Sequence, residues 1–101
     1  MGELLKQFYE KGKLVAAICA APTALKAHRI AINQGRRITC YPSLQHELLD
    51  AYTFVEESVA VDGNLITSRG PATAMPFALA IVKALCGEEI SKNIASQLLY
   101  Q

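Results

Sequence analysis

The sequence lacks the features that would place it in several large classes of protein. Among its 101 residues, ten Lys and Arg face nine Asp and Glu, so the formal net charge is only +1. A nucleic-acid-binding domain normally carries a basic excess, and we therefore expect no nucleic acid partner. No apolar run approaches the roughly 20 residues that cross a bilayer, which argues against a membrane protein. Because charges recur throughout residues 1–13, we also expect no secretory signal.

Cysteine is scarce and shows no pairing pattern. Cys19, Cys40 and Cys86 are odd in number and include no C-x-x-C pair, so neither a disulfide framework nor a zinc site is indicated. We expect reduced thiols and a cytoplasmic protein. Apolar residues, in contrast, make up 51% of the chain and charged residues 19%, which argues against disorder and fits one domain over residues 1–101.

Helical and strand patterns alternate along the chain. The sequence predicts helices over residues 3–11, 23–33, 44–51, 71–86 and 88–99, and strands over residues 14–18, 37–41, 58–61 and 65–67. The last two strands form a hairpin about an Asp62-Gly63 turn, and Pro76 marks either the start or a kink of the helix that contains it. This alternation predicts an α/β fold with a largely parallel sheet. Such a sheet needs more strands than the chain supplies, so the chain looks like part of a domain.

Cys19 stands where an apolar strand gives way to a helix. Ala17 and Ala21 lie two positions before and after it, and the sharp turn of a nucleophile elbow requires small residues there. A helix start would direct N–H groups at the sulfur and favour the thiolate. The N–H groups of Ala20 and Ala21 would hold a developing oxyanion. The alternative is that Cys19 is a small core residue in an alanine-rich segment.

The chain offers no convincing base for an activated cysteine. His28 lies nine residues beyond Cys19 on the same predicted helix, and His46 lies in a polar segment that we interpret as surface. If Cys19 is catalytic, its proton acceptor comes from elsewhere. Cys40 and Cys86 lack the setting of Cys19, and we interpret both as buried structural residues.

The segment SRGPAT, residues 68–73, is a second candidate. It follows a predicted strand and precedes a helix, which is where α/β folds build ligand sites. Arg69 would there pair with an anion or with a partner chain. Alternatively, Gly70 and Pro71 only shape a turn and leave Arg69 exposed. A phosphate-binding loop is not indicated, because no Lys-Ser/Thr pair follows the glycine.

Three segments in order along the chain, AAICAAPTAL, ITCYPS and VDGNLITSRGPATAMPFALAIVKALCGEE, resemble the ThiJ/PfpI superfamily. Within it, they are most similar to the Parkinsonism-associated deglycases and their bacterial ThiJ-like relatives. The resemblance implies a flavodoxin-like three-layer sandwich with a mostly parallel sheet, and a homo-oligomer. It also implies a cysteine-dependent glyoxalase or deglycase that acts on methylglyoxal-type aldehydes or their protein adducts, without metal or organic cofactor. The alternative is a redox sensor of oxidative stress or a chaperone, and older family names refer to thiamine biosynthesis.

The resemblance also implies roles for individual residues. Cys19 matches the reactive cysteine, and Ala20 matches the residue whose backbone N–H helps to form the anion pocket. Tyr41 stands where many members carry a histidine, which removes one possible proton carrier. Arg69 and Pro71 match a segment that lies near the neighbouring subunit's site in the dimer.

The resemblance covers only the C-terminal half of a family chain. It implies that the other half supplies the first strands of the sheet and a buried glutamate that hydrogen-bonds the cysteine. We therefore expect the chain to work together with a missing N-terminal half, and we expect these 101 residues alone to be inactive.

Overall fold

The computed structural model describes residues 1–100. Its helices are α1 (Gly2–Glu10), α2 (Pro22–Ala27), α3 (Ala74–Cys86) and α4 (Glu88–Gln97), with 3₁₀ helices at Pro42–Glu47 and Pro71–Thr73. Its strands are β1 (Val15–Ile18), β2 (Arg37–Ile38), β3 (Thr53–Phe54), β4 (Val59–Asp62) and β5 (Leu65–Ser68). Within these residues, no helix is long and apolar enough to cross a bilayer.

The strands form two small sheets. In the first sheet β5 lies in the centre, parallel to β1 on one side and antiparallel to β4 on the other. The register places Val15 opposite Leu65 and Ile18 opposite Ser68, so that β1 and β5 end together. The second sheet is a parallel pair of β2 and β3. As predicted, most strand pairs are parallel, and the hairpin of β4 and β5 is the antiparallel exception.

The two faces of β5 pack against different helices. Leu65 belongs to a buried cluster with Val15 and Leu25, which joins β1 and α2 on one face of the sheet. Ile66 is equally buried but lies outside that cluster, and β5 contacts α3 on the opposite face, as the alternation of side chains along a strand requires. Each such side chain contributes about 1.5–3 kcal/mol when it is removed from water. Strand β5 is therefore covered on both of its faces.

Helix α3 and the outer face of β1 are only partly covered. Although α3 is apolar along its length, none of its residues is buried, and Met75 and Leu85 are exposed. Ala16, in the middle of β1, is exposed as well. Of the residues described, only β5 pairs with β1, which leaves the outer edge of β1 open.

Helix α2 is shorter than the sequence predicts. The helix expected over residues 23–33 ends at Ala27, because Arg29 turns into the left-handed region with φ +57°. Arg29 N–H then donates to Lys26 O at 3.0 Å and Ile30 N–H donates to Leu25 O at 2.8 Å, the pattern of a Schellman motif. This turn buries Ile30 against the core, which a continued helix would not achieve.

The segment after α2 also differs from what the sequence predicts. Of the strand predicted over residues 37–41, only Arg37–Ile38 pairs, and the helix predicted over residues 44–51 is instead the 3₁₀ helix Pro42–Glu47. Pro42 opens this 3₁₀ helix, where the fixed φ of proline suits the first turn, and the helix ends before the buried Leu48. The two-residue strand β3 was not predicted, because it is too short to show an alternating pattern.

The remaining elements agree closely with the sequence. The hairpin is present, but Asp62 pairs with Leu65, so its loop is Gly63-Asn64 rather than Asp62-Gly63. Gly63 has φ +59°, which suits glycine at the first position of a two-residue loop. Pro76 lies in the first turn of α3, where a missing N–H costs no helical hydrogen bond.

Candidate functional site

Cys19 has the backbone of a strained turn. It directly follows β1 and has φ +65°, a left-handed conformation that residues with a Cβ rarely adopt. Such a residue costs on the order of 1–3 kcal/mol and persists only where the surrounding structure holds it. Its side chain is partly exposed. The flanking alanines predicted a turn of this kind, and the strand, the bend and the helix follow in the predicted order.

Both backbone groups of Cys19 are held by other segments of the chain. Its N–H donates to Ser68 O at 3.0 Å, at the end of β5. Its carbonyl oxygen accepts the N–H of Tyr41 at 2.9 Å. The three segments on which the family resemblance was based therefore meet at Cys19.

The N–H groups after Cys19 are not equivalent. Ala21 N–H donates to Ile18 O at 3.1 Å, so it is already occupied, whereas Ala20 N–H has no acceptor within residues 1–100. Of the two N–H groups that we expected to hold an oxyanion, only that of Ala20 is unpaired within residues 1–100. Helix α2 has only six residues, and Thr23 N–H is bonded to Ala20 O at 3.1 Å. The N–H groups of Ala21 and Thr23 are therefore already bonded within the turn, and Pro22 has none to offer.

A cleft of about 280 Å³ lies next to the residues that bond to Cys19. It is lined by Tyr41, Pro42, Ser58, Arg69, Gly70, Pro71, Ala72 and Thr73. Three residues that the sequence placed near the site, Tyr41, Arg69 and Pro71, are thereby brought together. The Tyr41 ring lies over Gly70, where a Cβ would stand 3.6 Å from Tyr41 Cδ1.

Arg69 is partly buried rather than exposed. Its Nε is inaccessible to solvent and has no hydrogen-bond partner among the residues described. Buried donors are nearly always paired, so this guanidinium retains capacity for an anion or a partner chain. Of the two interpretations of Arg69, the one in which it only stands on an exposed turn is not supported.

The sequence placed Ser68 in the candidate segment 68–73, but it indicated no role for the hydroxyl groups of Thr67 and Ser68. Thr67 Oγ1 accepts the N–H of Thr39 at 2.9 Å, and Ser68 Oγ donates to Ser58 O at 2.6 Å. Ser68 Oγ also lies 2.6 Å from Thr73 Oγ1. Thr67 and Ser68 are both fully buried. The only signal in the sequence was two hydroxyl residues at the end of an apolar strand.

The other two cysteines have different surroundings. Cys40 is fully buried, as expected, and its thiol donates to Tyr41 O at 3.2 Å. Burial raises the pKa of Cys40, an effect that the charge of Arg69 partly opposes. Cys86 is exposed, so its interpretation as a buried residue is wrong. It lies in the last turn of α3, a helix that packs against α4 and β5 but has no buried residue.

The two histidines do not supply a base at Cys19. His28 follows the last residue of α2 and lies against Gly2 of α1, where an added Cβ would overlap the imidazole ring. His46 is exposed on the 3₁₀ helix Pro42–Glu47. In the part of the chain that the structure describes, no three His, Cys, Asp or Glu side chains are grouped as metal ligands would be.

Comparison with known proteins identifies the family and the fold of this chain. The model of the DJ-1/PfpI family matches residues 1–84. The chain is 47% identical over 100 residues to Protein dj-1beta of Drosophila melanogaster, with 98% of this chain and 52% of that protein covered. It is 38% identical over 99 residues to the glutathione-independent glyoxalase DJR-1.2 of Caenorhabditis elegans, with 97% and 52% covered. The crystal structure of Drosophila melanogaster DJ-1beta superimposes with a TM-score of 0.94 at 46% identity, covering 99% of this chain and 53% of that one.

The chain belongs to the DJ-1/PfpI family. The family resemblance and the flavodoxin-like fold that it implied are thereby confirmed. The chain spans about half the length of the curated relatives it matches.

Proposed function

We propose that the protein containing this chain is a cysteine-dependent glyoxalase or deglycase of methylglyoxal-type aldehydes, with Cys19 as its nucleophile. The observation that carries the proposal is the conformation of Cys19, a partly exposed thiol held at φ +65° between two backbone hydrogen bonds. Strain of this kind is concentrated at functional sites. The similarity to a Caenorhabditis elegans protein named as a glutathione-independent glyoxalase supports the same substrate class.

In the proposed reaction the Cys19 thiolate adds to the aldehyde carbon and forms a hemithioacetal. The negative charge passes to the former carbonyl oxygen, and the unpaired N–H of Ala20 is the donor available to it. A proton then moves from the aldehyde carbon to the adjacent carbonyl group, which gives a thioester of a 2-hydroxy acid. Water hydrolyses the thioester, releases the hydroxy acid and regenerates the thiol.

The proton transfer requires a base that residues 1–100 do not present near Cys19. His28 lies against Gly2, and His46 is exposed on a different turn. We propose that a carboxylate from the rest of the protein carries this proton, since the relatives are about twice as long as the chain. The same remainder, or a second copy, is proposed to cover Ala16, the open edge of β1 and the apolar side of α3.

No metal or organic cofactor enters the proposed reaction, because each step uses a thiol, an N–H donor, a base and water. We place the reaction in the cytoplasm, which agrees with three free cysteines.

The test is turnover of methylglyoxal to lactate, measured with the chain alone and with the longer protein that contains it. We expect turnover only with the longer protein, and we expect Cys19→Ala to abolish it. Cys86→Ala is the matched control, because Cys86 is exposed and stands outside the site, and it should leave turnover unchanged. Undiminished turnover by Cys19→Ala would overturn the proposal.

A second candidate function is peroxide sensing at the same thiol. Cys40 is fully buried, but Cys86 is more exposed than Cys19, so preferential oxidation of Cys19 over Cys86 would have to come from the setting of Cys19 rather than from access alone. One peroxide would convert the thiolate to a sulfenate with release of water or hydroxide, and a second would give the sulfinate. Peptide mass mapping after mild peroxide treatment discriminates the two functions, since selective oxidation of Cys19 without aldehyde turnover favours the sensor.

A further inference from the structure

Strand β5 ends in two buried hydroxyl residues, and each supports one of the two hydrogen bonds that hold Cys19. The backbone oxygen of Ser68 accepts the Cys19 N–H at 3.0 Å. Thr67 supports the second bond indirectly. Its Oγ1 accepts the N–H of Thr39, and two residues later the N–H of Tyr41 donates to Cys19 O. Both side chains have no solvent exposure.

The Thr67 hydroxyl joins two parts of the fold that share no strand pairing near the site. Strand β2 pairs with β3 and not with the sheet of β5, and its pairing ends at Ile38. Residues 39–41 therefore approach Cys19 beyond the end of the ladder. Within the described chain, the bond from Thr39 N–H to Thr67 Oγ1, 2.9 Å long, ties this segment to β5. A valine of the same shape at position 67 would leave the Thr39 N–H buried and unpaired.

The Ser68 hydroxyl fixes the end of β5 in place. It donates to Ser58 O at 2.6 Å, on the segment before β4, and lies 2.6 Å from Thr73 Oγ1. Thr73 Oγ1 in turn accepts the N–H of Gly70 at 3.0 Å. The carbonyl that accepts from Cys19 is thus part of a strand end that is bonded on two sides.

We propose that Thr67 and Ser68 are positioning residues, which hold Cys19 in its strained conformation through Tyr41 and through the end of β5. The inference extends the proposed function, since it concerns the same thiol, but it is tested without any aldehyde. Removing either hydroxyl loosens the segment that supplies one of the two backbone hydrogen bonds, and Cys19 then relaxes towards ordinary backbone angles. The thiol thereby loses its fixed orientation towards solvent and towards the Ala20 N–H.

The test is the rate of alkylation of each cysteine by iodoacetamide across a series of pH values, in the full chain, with mass spectrometry of the peptides. Cys86 is exposed and serves as the internal reference, while Cys40 is buried and reports on folding. For Thr67→Val we expect the rate of Cys19 relative to Cys86 to change by about tenfold, the effect of losing one buried hydrogen bond, with a displaced pH profile. For Thr67→Ser, which keeps the hydroxyl, we expect the wild-type ratio and pH profile.

The outcome that overturns the inference is an unchanged Cys19 ratio and pH profile in Thr67→Val while Cys40 remains protected. If Thr67→Val exposes Cys40 by unfolding, Ser68→Ala decides in its place, because it retains the backbone oxygen and removes only the hydroxyl. An unchanged Cys19 ratio in folded Ser68→Ala would then refute the inference, and a changed ratio with Cys40 protected would support it. Because no aldehyde is used, the result is independent of whether the protein turns over methylglyoxal.

Discussion

The N–H of Tyr41 donates to the carbonyl oxygen of Cys19 at 2.9 Å, so the residue beside the cleft and the candidate nucleophile are joined through their backbones. This bond depends on main-chain atoms alone, and a different side chain at Tyr41 leaves it possible. The aromatic ring is therefore free to line the cleft while the backbone holds Cys19. Cys19 does not itself line the cleft, but it is hydrogen-bonded directly to Tyr41, which does.

The strain at Cys19 gives a first prediction about stability. Cys19→Gly removes the side chain and relieves the left-handed conformation, whereas Cys19→Ala removes the sulfur but keeps the Cβ. We expect Cys19→Gly to be more stable than Cys19→Ala by about 1 kcal/mol. Urea denaturation of the two variants measures the difference. Equal midpoints would show that the turn is not strained.

The second prediction concerns Gly63 in the hairpin loop, and it separates the strain of a positive φ from the collision of an added Cβ with Arg36. Gly12 and Gly63 both have positive φ, but a Cβ at Gly12 meets nothing within 4 Å, whereas one at Gly63 would lie 2.8 Å from Arg36 Nη1. We expect Gly12→Ala to cost about 1 kcal/mol and Gly63→Ala about twice as much. In an Arg36→Ala background the excess at Gly63 should disappear. If the extra cost of Gly63→Ala persists in the Arg36→Ala background, its cause is the backbone rather than the collision with Arg36.

Arg36 gives a third prediction, because its guanidinium connects α1 to the hairpin. Nε donates to the Tyr9 hydroxyl at 3.0 Å and Nη1 to Asp62 O at 3.1 Å, while Nη1 also contacts Asp62 Oδ1 at 3.2 Å. The hydrogen bond to Tyr9 is the main reason that the pKa of Arg36 is raised. A lysine cannot reproduce this fork, so we expect Arg36→Lys to lower the free energy of unfolding by about 1–2 kcal/mol.

The control for that variant is Arg29→Lys, since Arg29 is exposed and should change stability by less than about 0.5 kcal/mol. Thermal or urea unfolding of the pair gives both values. If the two substitutions cost the same, the bonds of Arg36 contribute nothing beyond its charge.

Tyr52 gives a fourth prediction, on the pH dependence of stability. Burial raises the pKa of Tyr52 from 10.0 to about 12, and its hydroxyl donates to Ile30 O at 2.6 Å. Between pH 10 and 12 the unfolded chain releases this proton while the folded chain retains it, so the unfolded state is favoured as the pH rises. Tyr52 therefore adds stability that is fully present below pH 10 and is lost towards pH 12, by at most about 1.4 kcal/mol per pH unit.

The measurement is urea unfolding at several pH values between 9 and about 11, for the wild type and for Tyr52→Phe. We expect the variant to be less stable near neutrality, because Ile30 O loses its donor, and to show a flatter decline in alkali. Parallel declines for the two proteins would mean that Tyr52 titrates normally in the folded state.

Local pattern alone determined a large part of this fold. The run VAAI is apolar and short, so it forms a strand parallel to β5, although Ala16 is exposed. The glycine after the first strand of the hairpin predicts the position of the turn to within one residue. Alanines on both sides of Cys19 allowed the sharp turn, which is the property that made this residue a candidate nucleophile. These features depend on residues that are near neighbours in the chain, so the sequence contains the information directly.

The tertiary structure decided what depends on distant residues. Helix α2 ends at Ala27 because Ile30 finds a place in the core, and no local signal marks that place. The unpaired N–H of Ala20 and the bonded N–H of Ala21 depend on the path of one turn. Cys86 is exposed although its helix is apolar, because no other element buries the last turn of α3 within residues 1–100. The bonds from Thr67 and Ser68 join segments about ten to thirty residues apart, and such pairings are fixed only when the whole sheet has formed.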